Sequence, residues 1–133
     1  MKLPDNFESY KVFIPVANGS GKFGEALGEP IVGLPQHVHT VTFLSVGKFE
    51  TEEEAVACMK YMKTKFARTM LGIRKVTHHT TREAWGFVPN QDFTSNSDID
   101  WTKSIHEIDK DLYAKYGLEY YADYIEQNVK PMK

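Results

Sequence analysis

The sequence contains almost no cysteine. Cys58 stands alone, so no disulfide can form within the chain, and a single thiol suits a reducing cytoplasm. Long apolar runs are also missing: nothing approaches the ~20 residues needed to span a bilayer. The opening MKLPDNFESYK lacks the apolar centre of a secretory signal. Acidic residues are absent from Lys60 to Lys75, a stretch that holds Lys60, Lys63, Lys65, Arg68, Arg74 and Lys75. With acids dominating from Asp92 to Glu126, the net charge of −2 conceals two regions of opposite sign. Repeats, low-complexity tracts and linkers are not found. What remains is 133 residues, 41% of them hydrophobic, enough for one domain with a real core.

Secondary structure follows from periodicity and punctuation. Tyr10–Val16 reads as a strand, with Pro15 marking an edge or an end. The glycines and prolines of 18–36 make a long loop, interrupted by a short Ile31-Val32 strand. His39–Val46 is rich in β-branched and aromatic residues and reads as a strand closed by Gly47. Thr51-Glu-Glu-Glu54 is a capping box, with acids suited to the positive end of a helix dipole. Ala55, Met59, Met62, Phe66, Met70 and Ile73 then recur at helical spacing and predict one long helix to about Lys75. On that helix Lys60, Arg68 and Lys75 fall opposite the apolar stripe, turned to solvent and to an anionic partner. Trp85–Val88 reads as a short strand. Helices are expected over Thr102–Tyr116, where Gly117 stops the run, and over about Glu119–Val129. Together these predict an α+β domain: a small mixed or antiparallel sheet, one long amphipathic helix across it, and two C-terminal helices.

Several motifs invite chemistry and fail on spacing. Gly19-Ser-Gly-Lys-Phe-Gly24 fits the dinucleotide turn G-x-G-x-x-G. That turn must open a helix whose N-terminus meets the pyrophosphate, and Gly28 and Pro30 leave no room for one. A P-loop would need glycine where Val16 stands and a hydroxyl where Phe23 stands. The remaining reading is a loop whose exposed amides and Lys22 can approach a phosphate chain. His37, His39, His78 and His79 form two pairs without a cysteine or carboxylate at ligand spacing, so packing or surface histidines are favoured over zinc. Asp98-Ile-Asp100-Trp-Thr-Lys103 could be read as a Mg²⁺ nuclease motif. Placed at the start of a helix, Asp and Thr read better as caps. Cys58 reads as a small core residue.

The order of motifs carries a resemblance. Thr40–Phe49 leads to Thr51–Ala55 and Lys60–Arg68. Phe87-Val-Pro-Asn-Gln-Asp-Phe93, Trp101-Thr, Leu112-Tyr-Ala-Lys-Tyr-Gly117 and Val129-Lys-Pro-Met132 follow. Over nearly its whole length the chain resembles the C-terminal segment of bacterial fused methylase–nuclease restriction–modification enzymes, the adenine-specific type IIG group. It departs from the family pattern at Thr77-His78, where Thr-Gln is expected, and in a longer 94–100 loop. In those enzymes the segment belongs to the target-recognition part, and the methylation motif and cofactor-binding glycines lie upstream. The resemblance implies a domain that binds double-stranded DNA, holds no cofactor and is not catalytic alone. Its partners would be the upstream methyltransferase and nuclease domains of the parent enzyme. Lys22, Lys63, Arg68 and Lys75 would meet phosphates, and Asn18, Arg82, Asn90 and Gln91 would read base edges. Two rival expectations are a metal-dependent nuclease fragment using Asp100, and a structural domain whose basic helix docks to the parent enzyme or to a second copy.

Overall fold

Four consecutive residues, Lys11-Val-Phe-Ile14, are buried, which requires a strand covered on both faces and paired on both edges. The computed structural model places them in β1 (Tyr10–Pro15), the centre of a three-stranded antiparallel sheet. It describes residues 4–15, 29–38, 43–74 and 88–132, with the backbone only at 72–74. β2 (Ile31–Gly33) flanks β1 on one side and β3 (Phe43–Phe49) on the other. Val12 lies opposite Val32 in β2 and Val46 in β3. Pro15 sits at the end of the central strand, where its missing N–H costs no internal ladder bond. Of the expected strand 85–88, only Val88 is described, buried and outside any strand.

Gly47 does not close β3 as the sequence suggests; the strand runs through it to Phe49. Tyr10 pairs with Phe49 and Val12 with Val46, so β3 carries an extra residue and bulges. Gly47 has φ +89, and a Cβ there would lie 2.2 Å from the Phe49 ring. A glycine is therefore needed twice, for the backbone and for the ring.

Lys11 is the unexpected member of the core, with no exposed surface. Its ammonium donates to the carbonyls of Asn6 (3.2 Å), Phe7 (3.2 Å) and Leu34 (2.9 Å). All three of its protons are thereby used. Burial lowers its pKa, opposed by the nearby Glu8 carboxylate.

The predicted long helix is two helices, α1 (Glu52–Lys63) and α2 (Lys65–Arg74). The start is as expected: Thr51 Oγ1 accepts from the Glu54 amide at 3.2 Å and bonds the Glu54 carboxylate. The interruption is Thr64, in extended conformation with ψ 151. Its hydroxyl donates to the Tyr61 carbonyl (2.6 Å) and accepts from the Ala67 amide (3.0 Å). It thus ends one helix and caps the next. Asp109, from the next helix among the described residues, completes the second cap by accepting from the amides of Lys65 (3.0 Å) and Phe66 (2.9 Å). The apolar stripe reads straight through this break because Met62 and Phe66 enter the same core.

α3 (Ile105–Lys115) is shorter than expected at its start. Asp100 does not cap it but accepts from the Thr102 amide and hydroxyl, closing a local turn. Ser104 and Glu107 form the real capping box. The end is as expected: Gly117 has φ +68, and the Leu118 amide returns to the Tyr113 carbonyl at 2.8 Å. A 3₁₀ turn (Glu119–Tyr121) leads into α4 (Ala122–Asn128), which is anchored by Ile125 and Val129. The α+β class is as the sequence implies.

Replacing Gly47 by Ala should cost about 2–3 kcal/mol, combining backbone strain with a ring clash. Gly117→Ala meets only the strain and should cost about 1 kcal/mol, since a Cβ there touches nothing within 4 Å. Urea denaturation of the two variants tests the ranking.

Candidate functional site

One concave site stands out on the described surface, a groove of about 430 Å³. One wall is β3 from Leu44 to Gly47, and the other is the segment from Val88 to Phe93. Cys58, Tyr61 and Met62 of α1 form its floor. These three side chains are buried, so the floor is apolar, while Ser45, Asn90 and Gln91 bring polar groups to the rim. That division suits a ligand with one apolar part and specific hydrogen-bonding edges.

The groove is stiffened from below by aromatic rings. Tyr61 lies 5.8 Å from Phe93 and 5.7 Å from Trp101, centroid to centroid. Phe93 contacts both Trp101 (5.2 Å) and Phe49 (5.9 Å), and Phe66 stacks on Tyr116 at 5.0 Å. Polar tips are satisfied: the Tyr61 hydroxyl donates to the Pro89 carbonyl (2.7 Å), and the Trp101 indole N–H donates to the Asp92 carbonyl (2.8 Å). Burial raises the Tyr61 phenol and pushes the Cys58 thiol up to about 12. Cys58 is thus a protonated core group with its sulfur 3.9 Å from that of Met62, as its sequence context implies, and not a nucleophile.

The two described base-reading candidates, Asn90 and Gln91, meet at the rim. Their circumstances differ. Gln91 donates to the Tyr116 hydroxyl (2.6 Å) and accepts from Lys115 (2.9 Å), which also pairs with Asp98 (3.0 Å). Asn90 is exposed. Asn18 and Arg82 lie outside the described residues, as do Lys22 and Lys75.

Arg68 does not face solvent as the helical wheel predicts, and Lys63, also expected to meet phosphate, does not either. Both are buried. Lys63 forms an ion pair with Glu29 at 2.8 Å. Arg68 donates to the carbonyls of Lys63 (3.2 Å) and Lys130 (2.7 Å). Burial lowers the Arg68 pKa, and the Asp109 carboxylate and the Tyr113 phenol oppose that shift. Lys60 and Lys65 are similarly engaged. Lys60 reaches the carbonyls of Trp101 and Lys103, both at 2.8 Å, and Lys65 reaches the Glu126 carboxylate at 2.7 Å. The four described cations of the acid-free run are complemented by acceptors distant in sequence, which a local count of charge does not register.

The side chains of the nuclease-like motif diverge. Asp98 pairs with Lys115, Asp100 turns back on Thr102, and Lys103 pairs with Asp111 at 3.1 Å. Hydrogen bonds from Thr102 hold the Asp100 carboxyl below its ordinary value. Among the described residues no three His, Cys, Asp or Glu side chains form a metal-binding group. His37 accepts from the Leu34 amide at 3.3 Å, and the other three histidines of the two pairs lie outside the described residues. No helix among the described residues is long and apolar enough to cross a membrane. The chain matches no protein-family model, no curated protein and no solved structure.

Asp109 is the most perturbed carboxyl of the described residues. Burial raises it from 3.8 to about 6, and Glu126 adds to that rise. The Phe66 and Lys65 amides and the Arg68 guanidinium oppose it. Between about pH 4 and 6 the folded protein therefore retains a proton that the unfolded chain has released. This group's contribution is greatest below pH 4 and declines as pH rises through 6, by about 3 kcal/mol in all and about 2 kcal/mol between pH 4.5 and 7. Urea denaturation at pH 4.5 and 7 should show that decline in the wild type relative to Asp109→Asn, and a carboxyl NMR titration should place the midpoint near 6. An identical pH dependence in both proteins would refute the assignment.

Proposed function

We propose that the chain is a DNA target-recognition domain of a bacterial restriction–modification enzyme, without catalysis of its own. One observation carries this reading. The motifs whose order resembles that enzyme group are far apart in sequence, yet their described parts converge. Phe49, Tyr61, Phe93, Trp101 and Tyr116, one from each of five of the seven motifs, pack together beneath the rim that holds Asn90 and Gln91. Three of those segments, 40–49, 60–68 and 87–93, line the groove itself, and Trp101 and Tyr116 support it from the side.

In this reading the groove rim meets base edges. An amide can donate to adenine N7 and accept from adenine N6 in the major groove of DNA. Asn90 is the reader already exposed, and Gln91 joins it when its contact with Lys115 is exchanged for a base. Asn18 and Arg82 supply further readers, while Lys22 and Lys75 supply phosphate contacts. Exposed Lys48, next to Gly47 in the rim strand, adds a third cation. Lys63 and Arg68 hold the fold instead. Methyl transfer and cleavage, with their cofactors, belong to the upstream domains of the parent enzyme, and the setting is the bacterial cytoplasm.

The internal pairing of Lys60, Lys63, Lys65 and Arg68 favours a second reading, a domain that docks to the rest of the parent enzyme and never touches DNA.

Fluorescence anisotropy with duplex libraries separates the two. Asn90→Ala should relax discrimination by about 1–3 kcal/mol at one base pair and leave the salt dependence intact. Lys22→Ala with Lys75→Ala should weaken all duplexes alike and reduce the salt slope by about 0.9 per lost contact. A chain that binds no duplex, alone or joined to the upstream domains, would defeat the proposal. A complex with the methyltransferase domain in the absence of DNA binding would favour the second reading.

A further inference from the structure

The C-terminal turn turns an aromatic face outward. Tyr120, Tyr121 and Tyr124 are 90%, 57% and 62% exposed. The rings of Tyr120 and Tyr121 meet edge to face at 5.1 Å, so they order each other at the surface. The same segment is fixed from behind. Ile125 and Val129 are buried, and Glu126 binds Lys65 and the Tyr113 hydroxyl. A rigid patch of tyrosine on a well-anchored element is the composition of an interaction surface, because tyrosine offers large contact area at low entropic cost.

Charge identifies what fits it. From Tyr116 to Val129 the chain carries Glu119, Asp123 and Glu126 and no lysine, arginine or histidine. Glu119 and Asp123 are exposed beside the tyrosines. Electron-rich ring faces next to carboxylates match a guanidinium, which stacks on the ring and hydrogen-bonds the carboxylate in its own plane. The same carboxylates repel phosphate. We propose that this face docks an arginine-bearing segment of a protein partner, with guanidinium groups over Tyr120 and Tyr124 and in contact with Glu119 or Asp123. The inference uses no residue of the groove and does not depend on DNA recognition.

The test titrates the intact chain with a short synthetic peptide carrying several arginines, and with its lysine counterpart, while tyrosine ring resonances are followed by NMR. The rings of Tyr120, Tyr121 and Tyr124 should shift, and those of buried Tyr61 and Tyr113 should not. The arginine peptide should bind several-fold more tightly than the lysine peptide. Tyr120→Ser with Tyr124→Ser should raise the Kd by about 5- to 30-fold, and Asp123→Asn should raise it by a smaller factor. Both variants should keep one cooperative unfolding transition, with a Tm within about 5 °C of the wild type. Equal binding of the two peptides, unaltered affinity in the double variant, or ring shifts produced by duplex DNA instead would overturn the proposal.

Discussion

A single buried carboxylate holds the helical half of this protein in place. Asp109 reaches from α3 to the first two amides of α2 and lets the chain break at Thr64 without orphaned donors. Without it, two N–H groups would be left in the core, each costing about 1–3 kcal/mol. The break in turn sets where α2 points, and hence where Arg68 and Lys65 find their acceptors. The cost of keeping a carboxylate in that position shows in its raised pKa: the hydrogen bonds and Arg68 do not fully offset desolvation.

The same constraint explains which features were legible in the sequence. Both ends of the helical region were, because capping boxes and terminal glycines are local devices: Thr51 with Glu54, and Gly117 after α3. The apolar stripe also identified core residues correctly, from Ala55 through Met62 to Phe66. The break at Thr64 was not legible, since half of its cap comes from a residue 45 positions away. Nor was the inward turn of Arg68, because a helical wheel assumes one continuous cylinder and knows nothing of the Lys130 carbonyl, nor the pairing of Lys63 with the distant Glu29. Ser104 could have been found: it sits three residues before Glu107 at the head of an apolar run, the same pattern that revealed Thr51.

The groove belongs to an intermediate category. Met62 and Cys58 of its floor were legible as core residues, Tyr61 was not because the wheel sets it beside Arg68, and its rim depends on how Val88–Phe93 crosses α1. Tyr61 fixes that crossing by bonding the Pro89 carbonyl, and Trp101 fixes it again through Asp92. Asn90 and Gln91 were legible as polar side chains with suitable donors and acceptors. Their sharing of one rim was not, and neither was the difference between an exposed amide and one already engaged by Tyr116 and Lys115. The proposed function leans on the exposed one for that reason.

Lys11 shows how shape can matter beyond charge. Three converging carbonyls surround its ammonium like the corners of a tripod, tying the turn at Asn6 and Phe7 to the chain just after β2. A guanidinium directs its donors within a plane and cannot address all three corners. Arginine, the nearest match in charge, would therefore leave at least one corner unaddressed, and the N-terminal turn would lean on the bonds that Asn6 makes to Ser45 and Gly47 of β3.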